Sequence, residues 1–141
     1  MSNIDQEDVM TTEEIFEELK DDIFYDTMSV QSLAEHIHKL NKQWWQFDLA
    51  GPTRNKGEAI ALMHSELSEC LEGVRKNKKD EHLPELDNEV VELADCVIRI
   101  LDYCMGFKLP IGKAIHDKLH YNAHRSDHKK HIREKQGGKK F

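Results

Sequence analysis

Two pairs of acidic residues have the spacing that a metal site built on helices needs. Glu66 and Glu69 lie three residues apart, and Glu92 and Asp95 repeat that spacing after 22 intervening residues. On an α-helix, residues three apart are separated by roughly 60° around the axis and about 4.5 Å along it, so each pair faces one side. Four converging carboxylates repel one another unless a cation neutralises them. Mg²⁺, or Mn²⁺ in its place, prefers such oxygen ligands.

The same spacing also occurs on solvated helix surfaces that bind nothing. Two pairs on neighbouring helices, each beside an apolar stripe, leave a shared cation site and surface decoration as equal alternatives. Glu72 and Glu89 extend the two pairs, and they are either further ligands or exposed side chains. The spacing alone therefore makes a carboxylate cation site one of two interpretations.

The hydrophobic periodicity predicts an all-α protein in which helices position these acids. The predicted helices run over 12–25, from Ser29 to before Gly51, and over 57–76, 85–105 and 110–132. A polar loop is expected at 48–57 and a charged turn at 77–84, and no strand is expected. Because that turn is short, the third and fourth helices are expected to lie antiparallel at the centre of a bundle, as in other bundles with interior polar sites.

Both central helices carry apolar side chains at helical spacing. The third has a heptad-like stripe of Ile60, Met63, Leu67, Leu71 and Val74. The fourth is predicted to turn seven apolar residues inward, namely Leu86, Val90, Leu93, Ala94, Val97, Ile98 and Leu101. Because five short helices make only a thin core, the chain is also expected to form a homo-oligomer.

Length and charge narrow the possible partners. The chain has 141 residues and a formal net charge of −7, which suits one domain and disfavours binding to nucleic-acid polymers. No apolar run reaches the roughly 20 residues of a membrane helix, and no secretory signal is expected. The cysteines Cys70, Cys96 and Cys104 have no metal or redox spacing and are expected to be reduced and buried, which predicts a cytoplasmic protein.

The acidic motifs resemble those of a known family. Glu66-Leu67-Ser68-Glu69 followed by Glu92-Leu93-Ala94-Asp95 is similar to the ExxE…ExxD signature of the MazG-like all-α nucleoside triphosphate pyrophosphohydrolases, and within them to a small branch often carried by phages. The likeness extends to the segments 55–58 (NKGE), 94–102 (ADCVIRILD) and 118–125 (KLHYNAHR). It covers about 30–128. The acidic segment 1–28 and the ending Gly-Gly-Lys-Lys-Phe depart from the pattern.

The resemblance implies a Mg²⁺-dependent enzyme that hydrolyses a (deoxy)nucleoside triphosphate to the monophosphate and pyrophosphate. The four acids would hold the metal and do the catalysis. Lys118, Asn122 and Arg125 lie at i, i+4 and i+7 on one helix face and would bind the triphosphate, with Tyr121 beside them. The family usually assembles as dimers or as tetramers, and a homotetramer is the expectation for this chain.

Two further groups of residues have more than one interpretation. Trp44 continues the apolar stripe of the second helix and is expected in the core, whereas Trp45 lies off the stripe and is expected to stack on a base or fill a subunit interface. Histidines recur every four residues on the last helix, at His116, His120, His124 and His128, with His131 nearby. They are either a solvated basic stripe or a site for a softer metal such as zinc.

The domain prediction has three parts: an acidic extension at 1–28, a MazG-like helical domain at 29–132 and a basic flexible tail at 133–141. Residues 1–29 contain ten acids and one lysine, and residues 116–141 contain eight Lys/Arg and three acids, so the ends can attract each other. Three alternatives stay open. They are a non-catalytic partner-binding module, an alarmone hydrolase and a carboxylate-bridged redox metal protein.

Overall fold

The computed structural model describes residues 9–126 and residue 137. Within these residues the protein is all-α, which confirms the predicted fold class. Four helices account for most of it: α1 (Thr12–Asn41), α2 (Lys56–Lys76), α3 (Asn88–Gly106) and α4 (Ile111–His124). A short 3₁₀ turn, Lys42–Trp44, follows α1. Among the described residues, no helix combines the length and apolar character needed to cross a bilayer.

Helix α1 is one continuous helix of 30 residues, so the prediction of two helices divided near residue 28 is wrong. Neither Gly nor Pro occurs between Asp26 and Ser29, and the hydroxyls of Thr27 and Ser29 donate to carbonyls one turn back without ending the helix. The predicted capping box is confirmed. The Thr11 N–H donates to the Glu14 carboxylate at 2.7 Å, and the Glu14 N–H donates to the Thr11 hydroxyl at 3.2 Å.

A small hairpin occupies part of the predicted loop. Strands β1 (Phe47–Asp48) and β2 (Gly51–Pro52) pair antiparallel, so the expectation of no strand is wrong at this place. Gly51 has φ of 122°, a conformation that residues with a Cβ rarely adopt. Strands of two residues are too short to produce an alternating pattern, which explains why the sequence does not reveal them.

The ends of α2 and α3 are fixed by short polar side chains. The Asn55 side chain accepts a hydrogen bond from the Glu58 N–H at 2.9 Å, and Asn77 ends α2 in the left-handed conformation. Helix α3 begins at Asn88, three residues later than predicted, because Asp80 holds the preceding turn by accepting from the His82 and Leu83 N–H groups. Helix α4 ends at His124. The remainder of its predicted span, 127–132, lies outside the described residues.

The chain divides into two compact units. The terminal unit comprises 1–29 and 112–141, and the central unit comprises 30–111. In the terminal unit, α1 packs on α4 through Phe16, whose ring meets the edges of His120 and His124. The predicted domain limits at 28 and 132 stay a prediction, and nearly all of the predicted tail 133–141 lies outside the described residues.

In the central unit, α2 and α3 pack antiparallel, as expected. Gly73 near the end of α2 lies against Asn88 at the start of α3. Nearer the start of α2, the backbone carbonyl of Met63 accepts a hydrogen bond from the Cys96 thiol of α3. The residues of α2 that this contact buries are small or acidic: Ala59, Glu66, Cys70 and Gly73. A close approach of the two helices follows, and it places acidic side chains inside the contact.

The apolar stripes of α2 and α3 face outward. The inward prediction is confirmed for Leu101 and is wrong for the other six residues predicted inward on the fourth helix, which are exposed: Leu86, which precedes α3, and Val90, Leu93, Ala94, Val97 and Ile98. On α2, the exposed residues Ile60, Leu67, Leu71 and Val74 each follow a buried one by a single position. One position is about 100° around a helix, so the buried and the apolar faces are adjacent and distinct.

Candidate metal centre

Three of the four predicted acids lie together between α2 and α3. One carboxylate oxygen from each of Glu66, Glu69 and Glu92 lies within 4.8 Å of the other two. Glu66 and Glu92 are buried, and Glu69 is exposed. Asp95 is also exposed and is not a member of this group. We refer to Glu66, Glu69 and Glu92 as the acidic centre; the role of Asp95 as a ligand stays a prediction.

The contact between Gly73 and Asn88 sets the spacing of the helices next to the acidic centre. A Cβ added at Gly73 would lie 2.2 Å from the Asn88 side-chain oxygen, so only glycine permits this approach. Asn88 in turn donates its amide N–H to Glu92 Oε1 at 2.8 Å. The same asparagine therefore fixes the helix spacing and the orientation of one carboxylate.

Arg99 holds the second buried carboxylate. Its Nε–H donates to Glu66 Oε1 at 2.6 Å, a charge-assisted hydrogen bond that joins α3 to α2. Among the described residues, Arg99 is the one cation hydrogen-bonded to the acidic centre. With all three carboxylates ionised, the group and its arginine carry a net charge of −3 + 1 = −2.

The repulsion among these carboxylates affects the pKa of Glu92. Burial raises the pKa of its carboxyl above the ordinary 4.5, and the nearby Glu69 and Glu66 raise it further, whereas the Asn88 hydrogen bond lowers it. A raised carboxyl pKa means that the cation-free centre disfavours its third negative charge. A bound divalent cation would reverse that preference.

The geometry fits a hard divalent cation. Two ligands on opposite sides of a Mg²⁺ ion, each at about 2.1 Å, are about 4.2 Å apart. Oxygens that lie within 4.8 Å of one another therefore need only small side-chain movements to share an ion. The donors are all carboxylates, with no histidine or thiol among them, which suits Mg²⁺ or Mn²⁺ better than zinc.

The predicted triphosphate-binding residues belong to the terminal unit. Lys118 and Arg125 both lie near the Tyr121 ring, with Lys118 Nζ 4.8 Å and Arg125 Cζ 5.8 Å from its centroid. Asn122 is half-buried on the same helix. Both basic side chains therefore lie next to Tyr121, and the common face predicted for Lys118, Asn122 and Arg125 stays a prediction. The roles of these four residues in binding substrate stay predictions as well.

The two tryptophans exchange the positions that we predicted. Trp44 is 73% exposed, so its expected place in the core is wrong, and Trp45 is 6% exposed. The 3₁₀ turn Lys42–Trp44 includes Trp44 and immediately precedes Trp45, and it changes the helical phase at these residues. Trp45 packs against Gly106, where an added Cβ would lie 2.1 Å from the indole ring. Stacking of Trp45 on a base stays a prediction.

Asp102 is the centre of a polar cluster that the sequence reasoning missed. Its buried carboxylate accepts from His38 Nδ1 at 2.8 Å and from the Trp45 indole N–H at 3.1 and 3.2 Å. Arg54 lies 3.6 Å from the second oxygen and 4.9 Å from the Trp45 centroid. The sequence contains one sign of this cluster, because Asp102 lies inside the largely apolar segment 96–107 and a buried acid needs polar partners.

The histidine stripe packs on aromatic rings. His120 and His124 contact Phe16, and His116 meets the edge of Phe24. His124 Nδ1 donates to the His120 carbonyl at 2.7 Å, so that nitrogen is engaged. Among the described residues, the acidic centre is the one group of three or more potential ligand side chains whose donor atoms lie close enough to share an ion. The described histidines of this stripe belong to no such group. His128 and His131 lie outside the described residues.

The cysteines are confirmed as free and buried. Burial raises the pKa of the Cys104 thiol, which keeps it protonated and unreactive. These thiols pack the core of the central unit and take no part in the acidic centre.

No family model, curated protein or solved structure matches this chain. The resemblance to the MazG-like enzymes therefore rests on the motifs of the sequence. The geometry adds a separate argument, since it brings acids from both motifs into one group.

Proposed function

We propose that the protein is a Mg²⁺-dependent pyrophosphohydrolase of (deoxy)nucleoside triphosphates, acting in the cytoplasm in control or cleaning of the nucleotide pool. The observation that carries the proposal is the acidic centre, in which carboxylate oxygens from two packed helices lie within 4.8 Å of one another. A triphosphate is an anion, and an acidic protein can hold it through bound cations. Mn²⁺ is the expected substitute for Mg²⁺.

The acids divide into two roles according to their burial. Glu66 and Glu92 are buried and oriented by Arg99 and Asn88, so they suit the fixed part of a cation site. Glu69 is exposed and has more freedom to contact a water molecule as well as an ion. Asp95 is exposed on the same helix as Glu92 and completes the set that the sequence predicts.

The reaction needs water to attack the α-phosphorus, with cleavage of the bond to the β-phosphate oxygen and departure of pyrophosphate. When bound, the cation supplies Lewis-acid stabilisation of the phosphoryl oxygens and lowers the pKa of water. Glu69, the exposed carboxylate of the acidic centre, would accept the proton of the attacking water. Lys118, Asn122 and Arg125 would bind the phosphate oxygens, and Tyr121 would pack beside them or donate one hydrogen bond.

We also propose that the protein is a homo-oligomer, as a tetramer or a dimer. The exposed apolar stripes of α2 and α3 are the supporting observation, because a row of large apolar side chains on adjacent helices is typical of a subunit interface. A solution molar-mass measurement tests it, and the mass of a single chain would contradict it.

Pyrophosphate release from a panel of ribo- and deoxynucleoside triphosphates, with an alarmone included, tests the enzymatic proposal. We expect release with Mg²⁺ or Mn²⁺, none with a chelator, and a large loss in Glu69→Gln. Glu72→Gln is the matched control, since Glu72 lies one turn along α2 and pairs with Lys76 at 2.6 Å. Orthophosphate alone, or no product from any nucleotide, would contradict the proposal.

A partner-binding module is the second candidate, and the same exposed apolar stripes favour it. In that case neutralising the acidic centre would leave partner binding and the fold intact. Loss of pyrophosphate release in the Glu69→Gln variant, with its control unaffected, decides for the enzyme.

A further inference from the structure

Arg99 is more exposed than the buried carboxylate to which it donates a hydrogen bond. Its Nε–H is 2.6 Å from Glu66 Oε1, and its side chain is 37% exposed whereas that of Glu66 is 9% exposed. The bond uses one of the five N–H donors of the guanidinium and one of the two oxygens of the carboxylate. Arg99 can therefore leave Glu66 by a side-chain rotation toward solvent, without a change in the backbone.

The charge of Arg99 opposes that of a cation bound nearby. A guanidinium keeps its charge at every pH at which the protein is folded, so its contribution is permanent. In the cation-free protein it partly neutralises three clustered carboxylates, which would otherwise repel one another. Once a divalent cation neutralises the carboxylates instead, Arg99 and the cation repel each other. The hydrogen bond between Arg99 and Glu66 then stabilises the protein much less.

We propose that Arg99 is the counter-ion of the cation-free acidic centre and becomes a phosphate ligand when a divalent cation displaces it from Glu66. The inference rests on the proposed function and adds a coupling to it. Cation binding releases a guanidinium, and the planar fork of a guanidinium is well suited to phosphate oxygens. Cation and triphosphate then bind cooperatively, since each gains from the presence of the other.

The first test measures Mn²⁺ binding by calorimetry in the absence of any nucleotide. Arg99→Gln is expected to bind Mn²⁺ about tenfold more tightly than the wild type, the size of the repulsion between a unit charge and a dication roughly 6 Å apart in water. Arg99→Met, which keeps the apolar stem, is a second neutral variant and should behave alike. Arg99→Lys keeps the charge and should stay near the wild type.

Arg75→Gln is the matched control for net charge. Arg75 is an exposed arginine in the last turn of α2, nine residues beyond Glu66, which is about 13 Å along the helix. Its Mn²⁺ affinity should equal that of the wild type. Circular dichroism checks that every variant is folded.

The second test uses inorganic tripolyphosphate with saturating Mg²⁺, so that no base contributes to binding. Arg99→Gln and Arg99→Met are expected to bind this probe at least about tenfold more weakly than the wild type, the effect of losing a charge-assisted hydrogen bond. Opposite directions in the two tests, with the cation bound more tightly and the polyphosphate more weakly, are specific to the proposed exchange.

Three results decide between the possible failures. Weaker or unchanged Mn²⁺ binding in the neutral variants would overturn the counter-ion role. Weaker binding would mean that Arg99 orients Glu66 for the metal, and unchanged binding would mean that Arg99 has no effect on the metal. Unchanged tripolyphosphate binding would overturn the phosphate role. Failure of the wild type itself to bind Mn²⁺ would refute the proposed function, which is a different outcome from a failure of this inference.

Discussion

The buried carboxylate of Asp102 and the acidic centre, of which Glu66 and Glu92 are buried, both lie in the central unit, and they differ in how well their negative charge is compensated. Asp102 alone receives a histidine, an indole N–H at both oxygens and the nearby Arg54. The acidic centre has three carboxylates for one arginine and one asparagine. A buried carboxylate with all its partners is typical of a structural element, whereas a group with excess negative charge is typical of a cation site. The degree of charge compensation therefore distinguishes the structural carboxylate from the candidate cation site, which acidic residues in a sequence alone do not do.

The largest expected effect is on catalysis at the under-compensated group. Glu92→Gln keeps the shape of the side chain and removes one ligand charge, so pyrophosphate release should fall about 10³-fold, equivalent to about 4 kcal/mol of transition-state stabilisation. Urea unfolding should show that the cation-free variant is at least as stable as the wild type, because it lacks one of three repelling charges. A loss of both activity and stability would mean that Glu92 is a structural acid like Asp102.

The next largest effect is on stability at the compensated group. Asp102→Ala leaves His38 and the Trp45 indole without their acceptor, and removing one partner of a buried pair costs about 3 kcal/mol. Urea denaturation measures the change, with Asp117→Ala at an exposed site as the control. A change below about 1 kcal/mol, the typical value for an exposed pair, would show that the cluster contributes little.

Two glycine substitutions sharpen the comparison, since each disturbs one of the two groups. An added Cβ meets Asn88 at 2.2 Å in Gly73→Ala and the Trp45 ring at 2.1 Å in Gly106→Ala. Each is expected to cost about 2 kcal/mol by overpacking. Calorimetry with Mn²⁺ should find weaker binding in Gly73→Ala and wild-type affinity in Gly106→Ala. Equal losses of affinity would mean that the two groups are not independent.

The smallest effect is in the pH dependence. The folded-state pKa of Glu92 is raised, so its contribution to stability is present below the ordinary value of 4.5 and is lost as pH rises through the raised pKa. With a chelator present, the wild type should therefore lose unfolding free energy relative to Glu92→Gln as pH increases above 4.5. With Mg²⁺ the trend should reverse, because cation binding needs the deprotonated carboxyl. A pH-independent difference would contradict the raised pKa.

Local features of the fold could be predicted from the sequence more reliably than faces and partners. The Glu66–Glu69 pair and the Thr11–Glu14 capping box each depend on residues within one turn, and in both the side chains meet as their spacing requires. The apolar stripe of α2 lies only about 100° from its buried face, and periodicity alone does not say which of the two meets the same chain. The buried face of α2 is small or acidic, so the stripe of larger apolar residues was predicted to be the packed face.

The Asp102 cluster lay beyond prediction for a different reason. Its partners His38 and Trp45 are 64 and 57 residues away, and the 3₁₀ turn before Trp45 breaks the helical phase that any extrapolation would use. The same turn exchanged the expected positions of Trp44 and Trp45. Contacts between distant segments depend on how helices pack, which a single sequence does not encode in its local spacing.

Mn²⁺ titration of the cation-free protein by calorimetry tests the central claim most directly. The account predicts saturable binding to the wild type and to Arg75→Gln, and loss of binding in Glu92→Gln, which keeps its fold. Absence of binding to the wild type, or equal binding to Glu92→Gln, would contradict the assignment of the acidic centre as a cation site.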